Sequence, residues 1–392
     1  MVIAALALLP ALVVAQTVPL PAPAAGSTAI VPSPPTLSAS SYILMDANSG
    51  RVLVEHNADE RLPPASLTKL MTSYVVSYEI AQGRVSGDDM VTISKNAWSQ
   101  NPVFRGSSLM WIEVGKQVSL HDLHVGIVVS SGNDASVAVA EYLAGSESAF
   151  AAVMNQHAER LGLTNTHFVN SHGLPHPEHY TSARDLAILS RAIMEFPEEY
   201  DLYKMKEYTF NNIRQVNRNG LLFRDPTVDG LKTGHTNEAG YCLAASAVRD
   251  GMRLISVVMG TASESVRERE TEQLLSYGFR YFQTHKVYEA GAQVSQTRIW
   301  GGEKDQLQLG VTDDVVLTIP RGRHGELEAV MNVDQVIKAP VAAGESYGEL
   351  VVSLGGETLA TVPLVAIEAV EQGSIFKRIW DALVLFVTGL LS

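Results

Sequence analysis

Leu67, Leu70, Met71, Tyr74, Val75 and Tyr78 recur at spacings of three and four, the period of one buried helical face, and predict a helix from Ser66 to about residue 81. Before it, β-rich runs at 42–45 and 51–54 flank Asp46-Ala47-Asn48-Ser49-Gly50, which reads as a hairpin and starts the folded part at Ser41. Helical periodicity returns at 120–129 and 135–143, broken by Ser130-Ser131-Gly132-Asn133, and again at 150–161. A loop rich in His, Pro and Gly covers 170–180, after which Ser182 and Asp185 stand at the spacing of a helix-capping pair. Residues 84–118 carry no clear period. From Lys232 the pattern turns to strands, with 241–248 and 253–260 joined by Arg249-Asp250-Gly251 and a helix over 265–281 closing the region. Short hairpin links cannot build parallel pairs, so residues 41–282 are expected to form an α/β (α+β) domain, an antiparallel sheet flanked by helices.

Beyond residue 285 helical signals stop. Alternating runs at 315–319, 327–333, 349–354 and 358–362, with turns at Pro320-Arg321-Gly322 and Gly355-Gly356, predict a small all-β domain, a sandwich over 285–368. In the final stretch, 374–392, Ile375, Ile379, Leu383, Phe386 and Leu390 share one helical face with Phe376 and Trp380 beside them, while Lys377, Arg378 and Asp381 take the other. Its apolar part is too short for the ~20 residues of a bilayer span, so an amphipathic helix lying in a membrane interface is expected, with Lys377 and Arg378 near anionic headgroups; the rival is a helix docked on the protein's own surface. At the other end, residues 1–15 are apolar and close on the small residues Val13 and Ala15, as a signal peptide does, although without a basic start. Residues 16–40, with prolines at 19, 21, 23, 32, 34 and 35, read as a flexible linker.

Composition narrows the functions. A chain of 392 residues exceeds one ordinary domain, and a net charge of -13 with no basic stripe excludes nucleic acid as a partner. Cys242 is the single cysteine, which excludes an intrachain disulfide and reads as a small core residue. His121, His124, His172, His176 and His179 invite a metal, yet no His-Glu-x-x-His or cysteine pair accompanies them, so neither metal nor cofactor is expected.

On the predicted helix Ser66 and Lys69 stand one turn apart, a nucleophile with a base beside it. Such pairs are common, and a capping serine with a solvated lysine is the plain alternative. Two further stretches change that balance: Ser131-Gly132-Asn133 at the helical break, and Lys232-Thr233-Gly234 leading into a strand.

The three together resemble the penicillin-binding protein and serine β-lactamase superfamily, which carries Ser-x-x-Lys, Ser-x-Asn and Lys-Thr-Gly in that order. Pro64-Ala65-Ser66-Leu67-Thr68-Lys69, Ser130-Ser131-Gly132-Asn133-Asp134-Ala135, Asn170-Ser171-His172-Gly173-Leu174 and Asp229-Gly230-Leu231-Lys232-Thr233-Gly234-His235-Thr236 look like low-molecular-mass D-alanyl-D-alanine carboxypeptidases of the peptidase S11 type. Leu317-Thr318-Ile319-Pro320-Arg321-Gly322 and the amphipathic tail are similar to their β domain and membrane anchor. The resemblance implies Ser66 as nucleophile, Lys69 as its base and Ser131 as proton relay to the leaving amine. It implies Asn133 as a hydrogen-bond donor to the substrate backbone, Lys232 and Thr233 as holders of its terminal carboxylate, Gly234 as the point of close substrate approach, and the backbone N–H groups of Ser66 and His235 as the oxyanion hole. Implied partners are the peptidoglycan stem peptide, β-lactam antibiotics and the periplasmic face of the inner membrane; no oligomeric state follows. Asp185 is expected to cap its helix, with support of the cleft edge as the alternative. No Glu-x-x-Leu-Asn lies between Asn133 and Lys232, which disfavours a dedicated β-lactamase. A D,D-endopeptidase, a β-lactamase on the same site and a non-catalytic wall-binding scaffold are the rivals.

Overall fold

The computed structural model describes residues 13–18, 20 and 30–391, so residues 1–12 of the expected signal peptide and residues 19 and 21–29 of the expected linker lie outside the described residues. The chain divides into two compact units, Pro32–Tyr281 and a second made of residues up to 31 with Phe282–Ser392. The first described strand, β1 (Val13–Thr17), belongs to the second unit.

In the unit Pro32–Tyr281, β2 (Ser41–Asp46) and β3 (Val52–His56) form the expected hairpin. A 3₁₀ turn, Ala65–Thr68, carries Ser66 and runs into α1 (Lys69–Ala81). The unpatterned stretch 84–118 contains β4 (Met90–Thr92) paired with β5 (Gln117–Ser119), and its apolar residues Val91, Ile93, Phe104, Met110 and Ile112 are buried in a separate core cluster. Then come α2 (Leu120–Val125), a π-helical turn (Gly126–Ser130), α3 (Asn133–Ala144), α4 (Glu147–Arg160), α5 (Ala183–Ile193) and the single turn α6 (Pro197–Tyr200). Ser119, Ser146 and Ser182 cap α2, α4 and α5 by accepting from the N–H three residues on. A hairpin that carries no clear sequence signal, β6 (Glu207–Phe210) with β7 (Ile213–Val216), precedes α7 (Leu221–Arg224). Finally β8 (Val228–Thr236), β9 (Gly240–Arg249) and β10 (Met252–Thr261) lead to α8 (Glu264–Tyr281).

The five long strands form one antiparallel sheet in the order β3-β2-β10-β9-β8, which leaves β8 at an edge. Alternation along β2 explains the layering. Ile43 and Met45 join the cluster built around α1 and α5, whereas Leu44 and Leu254 crowd against Gly278 of α8, so helices cover both faces. Period analysis predicts one buried face for α1, but Lys69 to Ser77 are all buried. The helix is the centre of the unit, and its polar residues are satisfied inside: Thr72 Oγ1 donates to Ser171 O at 2.6 Å and Ser77 Oγ to Ser73 O at 3.0 Å. The folded unit also starts before Ser41, because Ser38 N and Ala39 N donate to the Glu270 carboxylate at 2.8 and 3.0 Å, and Tyr277 Oη donates to Pro32 O.

In the other unit, β11 (Phe282–Tyr288), β12 (Gln293–Trp300), β13 (Gln306–Gly310), β14 (Val315–Pro320), β15 (Leu327–Asp334), β16 (Ile337–Lys338), β17 (Ser346–Leu354) and β18 (Glu357–Ala366) enclose one apolar core. A seven-stranded sheet, β1-β15-β17-β18-β13-β12-β16, is complemented by the ribbon β11–β14. Antiparallel pairing of β1 on β15 places the expected cleavage point after Ala15 inside a strand. The last helix, α9 (Ile375–Leu391), departs from expectation in an informative way. Its polar side docks on this unit: Asp381, 5% exposed, accepts from Gly301 N at 2.8 Å, and Lys377 pairs with Asp305. Lys377 is therefore not the free headgroup contact expected of it. The apolar side faces outward, with Phe376 82% and Phe386 70% exposed. Among the described residues no single helix is long and apolar enough to cross a membrane.

Candidate active site

Three elements bring Ser66, Ser131, Asn133, Thr233, Gly234 and His235 to one cleft of ≈ 260 Å³ in the unit Pro32–Tyr281, with Lys69 and Lys232 buried rather than in its lining. Ser66 stands half-buried in the 3₁₀ turn, which begins at Ala65 with φ +47°. One turn on, Lys69 is 1% exposed. Its Nζ reaches Ser66 Oγ at 3.2 Å, Asn133 Oδ1 at 2.7 Å and the main-chain oxygen of His172 at 2.6 Å. Burial pulls its pKa down from 10.5 to about 7, because a charged amine loses its hydration there. Asp134 and Glu147 oppose that shift, and Arg218 adds to it. A neutral amine has two N–H donors and one lone pair. With the donors committed to Asn133 and His172, the lone pair is left for the Ser66 hydroxyl, the arrangement a proton acceptor needs.

The π-helical turn ends at Ser131, which is held in the left-handed region at φ +60° and lines the cleft together with Asn133. Asp134 anchors this wall: its buried carboxylate accepts from Met110 N, Trp111 N, Ile112 N and Ala135 N at 2.8 to 3.2 Å, tying residues 110–112 to the start of α3. Asn133 spends its Oδ1 on Lys69, which leaves the amide N–H group as the part to offer a substrate.

Edge strand β8 supplies the third wall. Lys232 is 3% exposed, and burial together with the charge of Lys69 drives its pKa well below 10.5. Thr233, Gly234 and His235 continue the wall, with the His235 ring stacked on Tyr241 at 3.9 Å. Gly234 lines the cleft as expected of a point of close approach, and it also packs against the turn of Ser66. A Cβ there would lie 3.0 Å from Pro64 O and 3.3 Å from the Cβ of Ala65, so the glycine lets the nucleophile's own turn approach the strand. Gly173 does the same from the opposite side, where a Cβ would fall 1.8 Å from Ala65 O.

Two cations in the cleft escaped the sequence reading, Arg218 and Arg267. Arg267 lies in α8, is 2% exposed, and donates to the main-chain oxygen of Arg218 at 3.3 Å and to Glu264 Oε1 at 3.4 Å, while its Nε has no partner among the described residues. They bring two guanidinium groups to one side of the cleft, beside the carboxylate of Glu264 and near the buried Lys232 amine, a set of donors suited to an anionic group. Nothing in the local pattern marks a buried arginine, so only the fold could reveal them. Asp185 caps nothing with its carboxylate: Oδ2 accepts from Asn165 N at 2.8 Å and Thr166 Oγ1 at 2.7 Å, and it does not line the cleft.

His179 and His124 are committed to other contacts. His179 Nε2 meets Thr68 Oγ1 at 2.8 Å while Nδ1 accepts from Val169 N, and burial lowers its pKa to about 4. His124 Nε2 lies 2.6 Å from Ser73 Oγ and its Nδ1 3.0 Å from Glu199 Oε2, although the latter direction is poor for a hydrogen bond. This has the order of a Ser-His-Glu triad, but Ser73 is 0% exposed, so the three form a brace between α1, α2 and α6.

Comparison with known proteins gives the family and the fold. The family profile "D-alanyl-D-alanine carboxypeptidase" matches residues 28–263, and "Penicillin-binding protein 5, C-terminal domain" matches 282–372. D-alanyl-D-alanine carboxypeptidase DacA of Haemophilus influenzae is 46% identical over 364 residues, 92% of each chain. DacA of Escherichia coli strain K12 is 47% identical over 90% of this chain and 88% of its own. The crystal structure of penicillin binding protein 5 from Haemophilus influenzae superposes with a TM-score of 0.83 at 45% identity, covering 87% of this chain and 99% of that one.

Proposed function

Since the chain belongs to the D-alanyl-D-alanine carboxypeptidase family of serine hydrolases, we propose that Ser66, Lys69 and Ser131 carry out its reaction, removal of the C-terminal D-alanine from peptidoglycan stem pentapeptides. Ser66 Oγ attacks the carbonyl between the two D-alanines while its proton passes to the neutral Lys69 amine. The N–H groups of Ser66 and His235 hold the oxyanion, each contributing about 3 kcal/mol. Ser131 delivers a proton to the leaving D-alanine amine as the C–N bond breaks, and water then hydrolyses the acyl-enzyme. Asn133 and the open edge of β8 align the peptide, and Lys232 and Thr233, backed by the charges of Arg218 and Arg267, hold its terminal carboxylate. The observation that carries this reading is the buried Lys69 Nζ, 3.2 Å from Ser66 Oγ with its pKa near 7. β-Lactams acylate Ser66 through the same steps.

The assay is release of D-alanine from a diacetyl-Lys-D-Ala-D-Ala peptide. Intact protein releases it and Ser66→Ala does not; equal release by both would remove Ser66 from the mechanism. The outward apolar side of α9 supports attachment to the periplasmic face of the inner membrane. Ending the chain at Gly373 then shifts the protein from the membrane to the soluble fraction, and unchanged fractionation refutes the anchor.

A further inference from the structure

We propose that Glu147 is a positioning residue for Lys69, holding from behind the loop whose main-chain oxygen orients the lysine amine. This rests on the reading of Lys69 as the base. Glu147 is the first residue of α4, and its Oε1 takes three contacts from two consecutive loop residues: Ser171 N at 3.1 Å, Ser171 Oγ at 2.8 Å and His172 Nε2 at 3.2 Å. His172 Nδ1 accepts from Leu174 N at 3.1 Å, which leaves the ring proton on Nε2, the nitrogen 3.2 Å from the carboxylate. The loop then grips α1 twice. Ser171 O accepts from Thr72 Oγ1 and His172 O accepts from Lys69 Nζ, both at 2.6 Å. At Gly173 the loop is pressed against the turn of Ser66 too closely to admit a side chain. One carboxylate therefore fixes the oxygen that decides where the Lys69 lone pair points.

It also sets part of the field at the amine. The groups facing Lys69 are Asp134 from α3, Lys232 from β8, Arg218 from the segment before α7, and His172 and His179 from the loop, the last two held neutral by burial. Asp134 is largely buried and its carboxylate is shared among four backbone N–H groups. Glu147 is the more exposed acid, its side chain 31% accessible, and its charge favours the protonated amine.

The two functions separate by substitution. Glu147→Gln keeps a hydrogen-bond acceptor and removes the charge, so the Lys69 amine titrates at lower pH and the acid limb of the acylation rate moves with it. Glu147→Ala also frees the loop, and kcat falls roughly tenfold, ~1.4 kcal/mol, with KM nearly unchanged. The amine is followed by NMR titration of protein labelled in lysine, its signal assigned by loss in Lys69→Arg, alongside the pH profile of D-alanine release. Ser171→Ala removes only the 2.8 Å bond and lowers kcat in the same sense, which keeps the test available if Glu147→Ala does not fold. An unmoved amine titration in Glu147→Gln, or lowered melting temperatures without any change in kcat or pH profile, overturns the inference. A displaced amine titration with an unmoved acid limb upholds it and instead refutes Lys69 as the base.

Discussion

Burial gives Lys69 its chemistry and makes it a liability for the fold. A lysine titrates near 10.4 in an unfolded chain, and here at about 7. Between those values the unfolded state binds more protons, so stability rises with pH across that window, and the burden of the buried amine is greatest below pH 7. Replacing it by an uncharged side chain of similar length relieves that burden. Lys69→Met is thus expected to raise the melting temperature at pH 6 by more than at pH 10 while abolishing D-alanine release. Equal shifts at both pH values, measured by calorimetry, would mean that the amine is not desolvated in the folded protein. The same reasoning separates the two lysines of the cleft. Lys69 has acceptors on three sides, whereas among the described residues Lys232 donates only to the main-chain oxygen of Thr233, which leaves N–H groups to offer an incoming carboxylate.

Among the elements, α1 governs the site because it is buried along both its apolar and its polar positions. The brace of Ser73, His124 and Glu199 is its main polar attachment to α2, the helix that runs into the turn bearing Ser131. Leucine at His124 would leave the buried Ser73 hydroxyl without its histidine partner, a loss of about 1–3 kcal/mol. Urea unfolding of His124→Leu checks this: a midpoint within error of the intact protein would show that the brace contributes nothing. Periodicity alone predicts a one-sided helix for this segment, since a 3.6-residue pattern counts apolar residues and is blind to serine and threonine satisfied internally. The helices and hairpins with strong period or turn chemistry, α3 to α5 and β2–β3, were legible. Hairpin β6–β7 and the stretch 84–118 were not, because their apolar residues serve a core assembled from distant segments.

The whole molecule consists of two units, each with its own apolar core. Every catalytic candidate lies in Pro32–Tyr281. A fragment spanning Pro32–Tyr281 is expected to fold cooperatively and to release D-alanine from the soluble peptide with a kcat within about threefold of the full chain. An unfolded fragment, by circular dichroism, or one that folds without activity would show that the β-rich unit is needed for the site.

Sequence by itself determined which residue types could react, in what order they occur, and that an antiparallel catalytic domain precedes a β domain and an amphipathic tail. Those facts are local, written in spacings of two to four residues and in short motifs. Tertiary structure alone decided the pKa of Lys69, the placing of Arg218 and Arg267 on one side of the cleft, the use of Gly234 and Gly173 to admit the Ser66 turn, and the docking of α9 by its polar side. Each depends on groups brought together from far along the chain, His172 with Lys69 or Asp381 with Gly301, and no local pattern records which distant residue removes the water.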